Sequence, residues 1–185
     1  MKLFAVRRRH IGLSIIALAI CCVSQHYASA STFGAGVFGA DVPFGSLTSI
    51  SIDLSNNVDI TMTPSGGTLG GTGAHAVTVT STDVVGYDLY MNATTGTAMS
   101  NGTSTIPASN NVTAASLALN SWGYNTTGSA TEFKGLTATQ ELINSGTGPF
   151  KNGTMTTINY GALIDMEKSS GVYSVGVTYT AVGRN

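Results

Sequence analysis

Apolar and polar residues alternate with a period of two along much of the chain, and this pattern limits the fold more than any other feature. The last such stretch is "GVYSVGVTYTAV" at residues 171–182, in which every second residue from Tyr173 to Ala181 is apolar. Successive side chains of a strand point to opposite faces, so this set predicts one core-facing surface. No apolar stripe of helical period is longer than two turns. We therefore predict an all-β protein.

Seven segments carry this pattern, at residues 47–54, 58–63, 74–82, 86–93, 117–125, 154–166 and 171–182. We pair the first two as a hairpin around "SNN", because Asn tolerates the backbone of tight turns. We pair the last two as a closing hairpin around "EKSS". The glycine-rich "SGGTLGGTG" at 65–73 is predicted to be a flexible loop. Seven to eight short strands favour an antiparallel β-sandwich, Ig-like or pilin-like, with a closed β-barrel as the alternative.

The first thirty residues have the features of a secretory signal. Lys2 and three arginines precede an apolar run, and "ASA" at 28–30 has the form of a cleavage site before Ser31. The alternative is an uncleaved membrane anchor, for which the apolar run is short. Both cysteines, Cys21 and Cys22, lie in this segment. The exported chain would therefore be secreted or displayed at the cell surface, free of the membrane, and stabilised without disulfides.

Charge counts change once the signal is removed. The nine acidic residues then face four basic ones, for a formal net charge of about −5. An acidic balance argues against nucleic acid as a partner, because nucleic acid requires a basic face. The remaining length is sufficient for one domain with a real core, which we place at residues 46–185.

A Gly- and Phe-rich arm, "STFGAGVFGADVPFG" at 31–45, precedes that domain. Leaving a phenylalanine side chain in water costs about 1.5–3 kcal/mol, and the arm has three, at positions 33, 38 and 44. We therefore expect the arm to dock on a sheet edge or groove, either of its own domain or of a neighbouring copy. We therefore predict that the protein associates with copies of itself, through residues 31–45 or through an open sheet edge.

The sequence offers no catalytic, metal or cofactor site. His75 is the one histidine left after cleavage, and no serine has the G-x-S-x-G surroundings of a hydrolase nucleophile. Zinc sites usually require several His or Cys ligands. The glycines lack the Lys-Ser/Thr ending of a phosphate-binding loop. We interpret His75 as an ordinary strand residue and predict a protein that is not an enzyme.

The single tryptophan lies in "NSWGYN" at residues 120–125. We favour a core position for Trp122 beneath a corner of the sheet. The alternative is a ligand-binding role, in which Trp122 and Tyr124 form an aromatic platform for a sugar.

Four stretches together resemble small secreted surface proteins of Gram-positive-type and ultrasmall episymbiotic bacteria. They are "VTVTSTDVVGYDLYM" (77–91), "NSWGYN" (120–125), "NYGALIDM" (159–166) and "SSGVYSVGVTYTAV" (169–182). The resemblance implies a cell-surface β-domain and no particular activity. The closing stretch more loosely resembles the end of β-sandwich pilus subunits, which trade strands between neighbours.

These observations predict a non-enzymatic structural or adhesive surface protein. The alternatives are a module that binds surface glycans or a partner on another cell, and a filament subunit assembled by strand pairing.

Overall fold

A computed structural model describes residues 49–184, and in this range the chain forms twelve β-strands and no helix. The predicted signal (1–30) and arm (31–45) lie outside the described residues. The strands are β1 (Ser49–Leu54), β2 (Thr63–Ser65), β3 (Thr68–Thr82), β4 (Gly86–Ala93), β5 (Met99–Ser100), β6 (Thr105–Ile106), β7 (Ala115–Ser116), β8 (Ser121–Asn125), β9 (Glu132–Phe133), β10 (Glu141–Thr147), β11 (Phe150–Asp165) and β12 (Val177–Arg184).

Two antiparallel sheets form the body of the described chain. The larger sheet has the order β1-β3-β11-β8, with β2 also paired to β3, and the smaller has the order β10-β4-β12. Neither closes on itself within the described residues, which confirms the predicted sandwich and makes the closed-barrel alternative wrong. Two short pairs, β5-β6 and β7-β9, complete the described strands. No helix that could cross a membrane occurs between residues 49 and 184.

The core lies between the inner faces of the two sheets. Val77 and Val79 of β3 are fully buried, as are Leu89 and Met91 of β4. All belong to one apolar cluster. Alternation along each strand sends every second side chain into this cluster, and burial of this kind stabilises by about 1.5–3 kcal/mol for each large apolar side chain. The cluster also includes Tyr87, Ala93, Ile106, Trp122, Tyr124, Leu136, Ile158, Tyr160, Ala162 and Ile164.

The face predicted for the last strand is confirmed. Alternate residues from Tyr173 to Ala181 pack against the core and are half-buried, whereas Val172 and Val182 on the other face are exposed. The regular strand is shorter than predicted and shifted, because β12 begins at Val177. It pairs with β4, so that Tyr179 lies opposite Met91.

Both predicted hairpins are wrong. β1 pairs with β3 rather than with residues 58–63, and β11 and β12 belong to different sheets. The period-two pattern shows which side chains share a face, but it does not identify the neighbouring strand, because pairing depends on how the connection crosses the core.

Residues 58–62 lie across β3, where two glycines leave room for them. A Cβ on Gly73 would lie 2.8 Å from the Val58 side chain, and one on Gly71 would lie 2.9 Å from Ile60. The side chains of Val58 and Ile60 therefore pack against the core directly over the backbone of Gly73 and Gly71, which have no side chains of their own.

The predicted flexible loop at 65–73 is also wrong. Gly66 and Gly67 form the two-residue turn between β2 and β3, with φ of +58° and +85°. A turn with two positive φ angles matches the twist of antiparallel strands and favours glycine at both positions. The residues that follow the turn belong to β3.

Candidate functional site

One side of the sandwich leaves part of its core uncovered. The inward-facing Ile52 and Leu54 of β1 are 38% and 48% exposed, although their partners on β3, Val79 and Val77, are fully buried. Edge strands of a well-covered sandwich bury such side chains, so β1 offers apolar surface that the described residues do not cover.

β12 lies at the same side, because β1 and β12 approach each other across the sandwich. Its inward residues Val177, Tyr179 and Ala181 touch the core but are only half-buried. Within the described chain, no strand pairs with the outer edge of either β1 or β12. We call these two edges and their inward side chains the open side.

The opposite side, formed by β8 and β10, is protected. Backbone bonds from Ser109 to Trp122 and between Lys134 and Tyr124 cover the edge of β8. The pairing of β10 with β4 is irregular between Leu142 and Asn144. Covered edges and bulges are the usual means by which a sheet avoids pairing with another chain. Among residues 49–184, nothing covers the outer edges of the open side and no bulge interrupts them.

A chain of polar groups crosses the sandwich just inside the open side. The Nδ1–H of His75 donates to the Asn56 carbonyl oxygen at 2.9 Å, which leaves Nε2 to accept from the Tyr179 hydroxyl at 2.6 Å. Tyr179 also hydrogen-bonds the Tyr160 hydroxyl. These bonds tie β3, β11 and β12 together.

The two tyrosines that are hydrogen-bonded in this way, Tyr160 and Tyr179, stay protonated. Burial raises the pKa of Tyr160 to about 12. Burial, together with the neighbouring Tyr160, also raises the pKa of Tyr179. His75 has no serine or carboxylate among its hydrogen-bond partners in the described chain. It acts as a bridge between strands and does not have the partners of a catalytic base.

The two residues predicted as a sugar platform lie in the core. Trp122 is fully buried, and its indole Nε1–H donates to the Thr97 carbonyl oxygen at 3.0 Å. Tyr124 is 3% exposed. Stacking on a sugar needs an open ring face, and neither ring offers one. The structure therefore supports the core interpretation of Trp122.

A polar cleft of about 640 Å³ lies next to these rings, between residues 108–112 and 134–141. The buried Tyr124 hydroxyl donates to Glu141 Oε2 at 2.8 Å, and Lys134 Nζ pairs with Glu141 Oε1. Burial, followed by the contact with Glu141, raises the pKa of Tyr124, so its hydroxyl remains a donor. A fixed ion pair thus stands in the cleft. No motif in the sequence predicts this ion pair, because Lys134 and Glu141 meet only through folding.

No group of three His, Cys, Asp or Glu side chains that could hold a metal ion occurs among residues 49–184.

No family model and no curated protein matches the chain. A chain in a solved structure titled as a chaperone–tip adhesin complex in the biogenesis of CFA/I fimbriae is similar to 74% of this chain, at 11% identity and a TM-score of 0.47. The match spans 42% of that chain, so this protein corresponds to less than half of it. A likeness at this level identifies neither a family nor a function.

Proposed function

We propose that this protein is an exported, non-enzymatic structural or adhesive protein of the cell surface that self-associates through its open side. The observation that carries the proposal is the contrast between the two sides of the sandwich. The edges at β8 and β10 are covered or bulged, whereas β1 and β12 present backbone that is unpaired within the described residues, beside half-exposed apolar side chains. An undefended edge is a template for a strand from another chain.

Charge offers little resistance to such an association. β1 carries one charged residue, Asp53, and β12 carries one, Arg184. Arg184 also lies 3.5 Å from the Asp88 carboxylate. Lysines and prolines, which commonly prevent edge pairing, are absent from both strands.

The segment that we assign to the open side is the arm at residues 31–45 of a second copy. It is apolar, has three phenylalanines to bury, and is separated from β1 by only three residues. An extended segment gains main-chain hydrogen bonds along an open edge and places alternate side chains on the apolar surface. Repeated contacts of this kind would build a filament.

Two changes test the assembly. Deleting residues 31–45 from the exported protein should convert it to a monomer whose thermal stability is unchanged, as measured by light scattering and calorimetry. Ile52→Lys, which puts a charge on the open side, should likewise reduce the mass in solution to that of a monomer. Met155→Lys is the matched control, because Met155 lies on β11 and is 66% exposed.

The results separate the alternatives. A monomeric deletion variant that loses stability would mean that the arm supports its own domain. A wild-type protein that is monomeric, or a variant with residues 31–45 deleted that still assembles, would overturn the proposal.

Export has its own test. Removal of residues 1–30 by a signal peptidase should give a secreted species that begins at Ser31. Intact-mass spectrometry of the exported protein measures this directly. A species that retains residues 1–30 would contradict the proposed export route and would restore four basic residues to the charge count.

A further inference from the structure

The polar cleft has walls that are fixed before any ligand arrives. Gly135 packs so closely on the 108–112 wall that an added Cβ would overlap the Ser109 carbonyl oxygen. The Gly135 N–H donates to the Asn111 carbonyl at 2.9 Å. The side chain of Asn111 donates to the carbonyl oxygens of Ala115, Ser116 and Phe133 at 3.0–3.1 Å. Such a preorganised site loses little entropy when it binds.

The ion pair in the cleft is anchored and keeps free hydrogen-bonding capacity. Lys134 and Glu141 expose 27% and 28% of their side chains. An ammonium group has three donors and a carboxylate has about four acceptor positions. The bond between them, and the bond from Tyr124, leave donors on Lys134 and acceptor positions on Glu141 for a ligand.

The rest of the lining is uncharged and combines polar side chains with apolar ones such as Val112 and Ala138. Asn110, Thr137, Thr139 and Gln140 line the cleft and are exposed. The two charges compensate each other, so the cleft attracts neither anions nor cations by net charge. Groups that donate and accept at once suit such a lining best, and a hydroxyl is the group that does both.

We propose that the polar cleft binds a neutral saccharide, whose hydroxyls bridge Glu141 and Lys134. Its volume of about 640 Å³ is within the range of small-molecule sites. The cleft is open to solvent and has no exposed aromatic ring among its lining residues. The expected affinity is therefore weak, with Kd on the order of 1 mM for an oligosaccharide.

Tyr124 thereby has a role different from the one predicted. It is a positioning residue, because its hydroxyl orients the Glu141 carboxylate from beneath the cleft while its ring stays buried. The site is also separate from the open side, since β8 and β10 lie at the sheet ends opposite to β1 and β12.

The test is a titration of the isotopically labelled exported protein with maltotriose, lactose and tri-N-acetylchitotriose. At least one sugar should shift the backbone amides of residues 108–112 and 134–141. Glu141→Gln and Lys134→Met should each weaken that binding at least about tenfold, which is the usual scale for a hydrogen bond to a charged group. Lys151→Met is the matched control, because Lys151 is an exposed lysine on β11 outside the cleft lining.

The proposal is overturned if none of the three sugars shifts these amides at about 20 mM, well above the expected Kd. It is also overturned if Lys151→Met weakens binding as much as the cleft variants, or if the shifts map elsewhere. Amide spectra of each variant without sugar show whether it is folded, and Lys134→Arg provides a variant that keeps the ion pair. Deleting residues 31–45 should leave sugar binding unchanged, so this test and the assembly test fail independently.

Discussion

Trp122→Ala lowers the free energy of unfolding by about 3–5 kcal/mol, the range for removing a fully buried large aromatic side chain. Trp122 has no exposed surface and packs in the cluster between the sheets, with Tyr160 at a ring distance of 6.3 Å. The substitution leaves a cavity and removes the donor to the Thr97 carbonyl oxygen. Whole domains are stabilised by only about 5–15 kcal/mol, so the variant should be close to unfolding.

Urea denaturation followed by far-ultraviolet circular dichroism measures this loss, since the variant has no tryptophan left to report by fluorescence. Trp122→Phe is the conservative comparison. It fills most of the space and loses the indole N–H, so its cost should be smaller, at about 1–3 kcal/mol for the unpaired carbonyl. A Trp122→Ala variant within about 0.5 kcal/mol of wild type, as for surface substitutions, would show that the tryptophan is not in the core.

Gly135→Ala has the second-largest expected effect, a loss of about 3 kcal/mol. An added Cβ would overlap the carbonyl oxygen of Ser109 and would lie 2.8 Å from its carbonyl carbon. Both atoms are backbone, so a side-chain rotation cannot relieve the overlap. The 108–112 wall must move, and the bond from Gly135 to Asn111 is lost with it. Overpacking typically costs about 1–3 kcal/mol, and the loss of this bond adds to it.

Gly96→Ala is the matched control for Gly135→Ala. A Cβ at Gly96 would have no atom within 4 Å and no strained φ to oppose it. Gly96→Ala should change the free energy of unfolding by no more than about 0.5 kcal/mol. The denaturation midpoints of the two variants are measured side by side, and that of Gly135→Ala should be clearly lower. Equal midpoints would contradict the close approach of the two backbones at Gly135.

The candidate sites show how far reasoning from residue types extends. A strand edge without lysine or proline was predictable, because both features can be recognised in one segment of the sequence, whereas self-association through that edge stays a prediction. The polar cleft was not predictable. Lys134 follows the last residue of β9, and Glu141 begins β10 seven positions later. Neither residue is marked by a motif. Tyr124 was predicted to offer its ring to a sugar, but the structure buries that ring and directs its hydroxyl to Glu141.

The class of fold and the core-facing side of the last strand follow from the alternation in the sequence alone. Alternation is a local property, so it correctly placed Tyr173, Val177 and Tyr179 on one core-facing surface. The pairing of strands is seen only in the folded protein, because it depends on contacts between residues far apart in the chain. β11 was predicted to pair with β12, but it pairs with β3 and β8 instead. Residues 58–62 pack over Gly71 and Gly73, and no local pattern shows that those glycines provide space rather than flexibility.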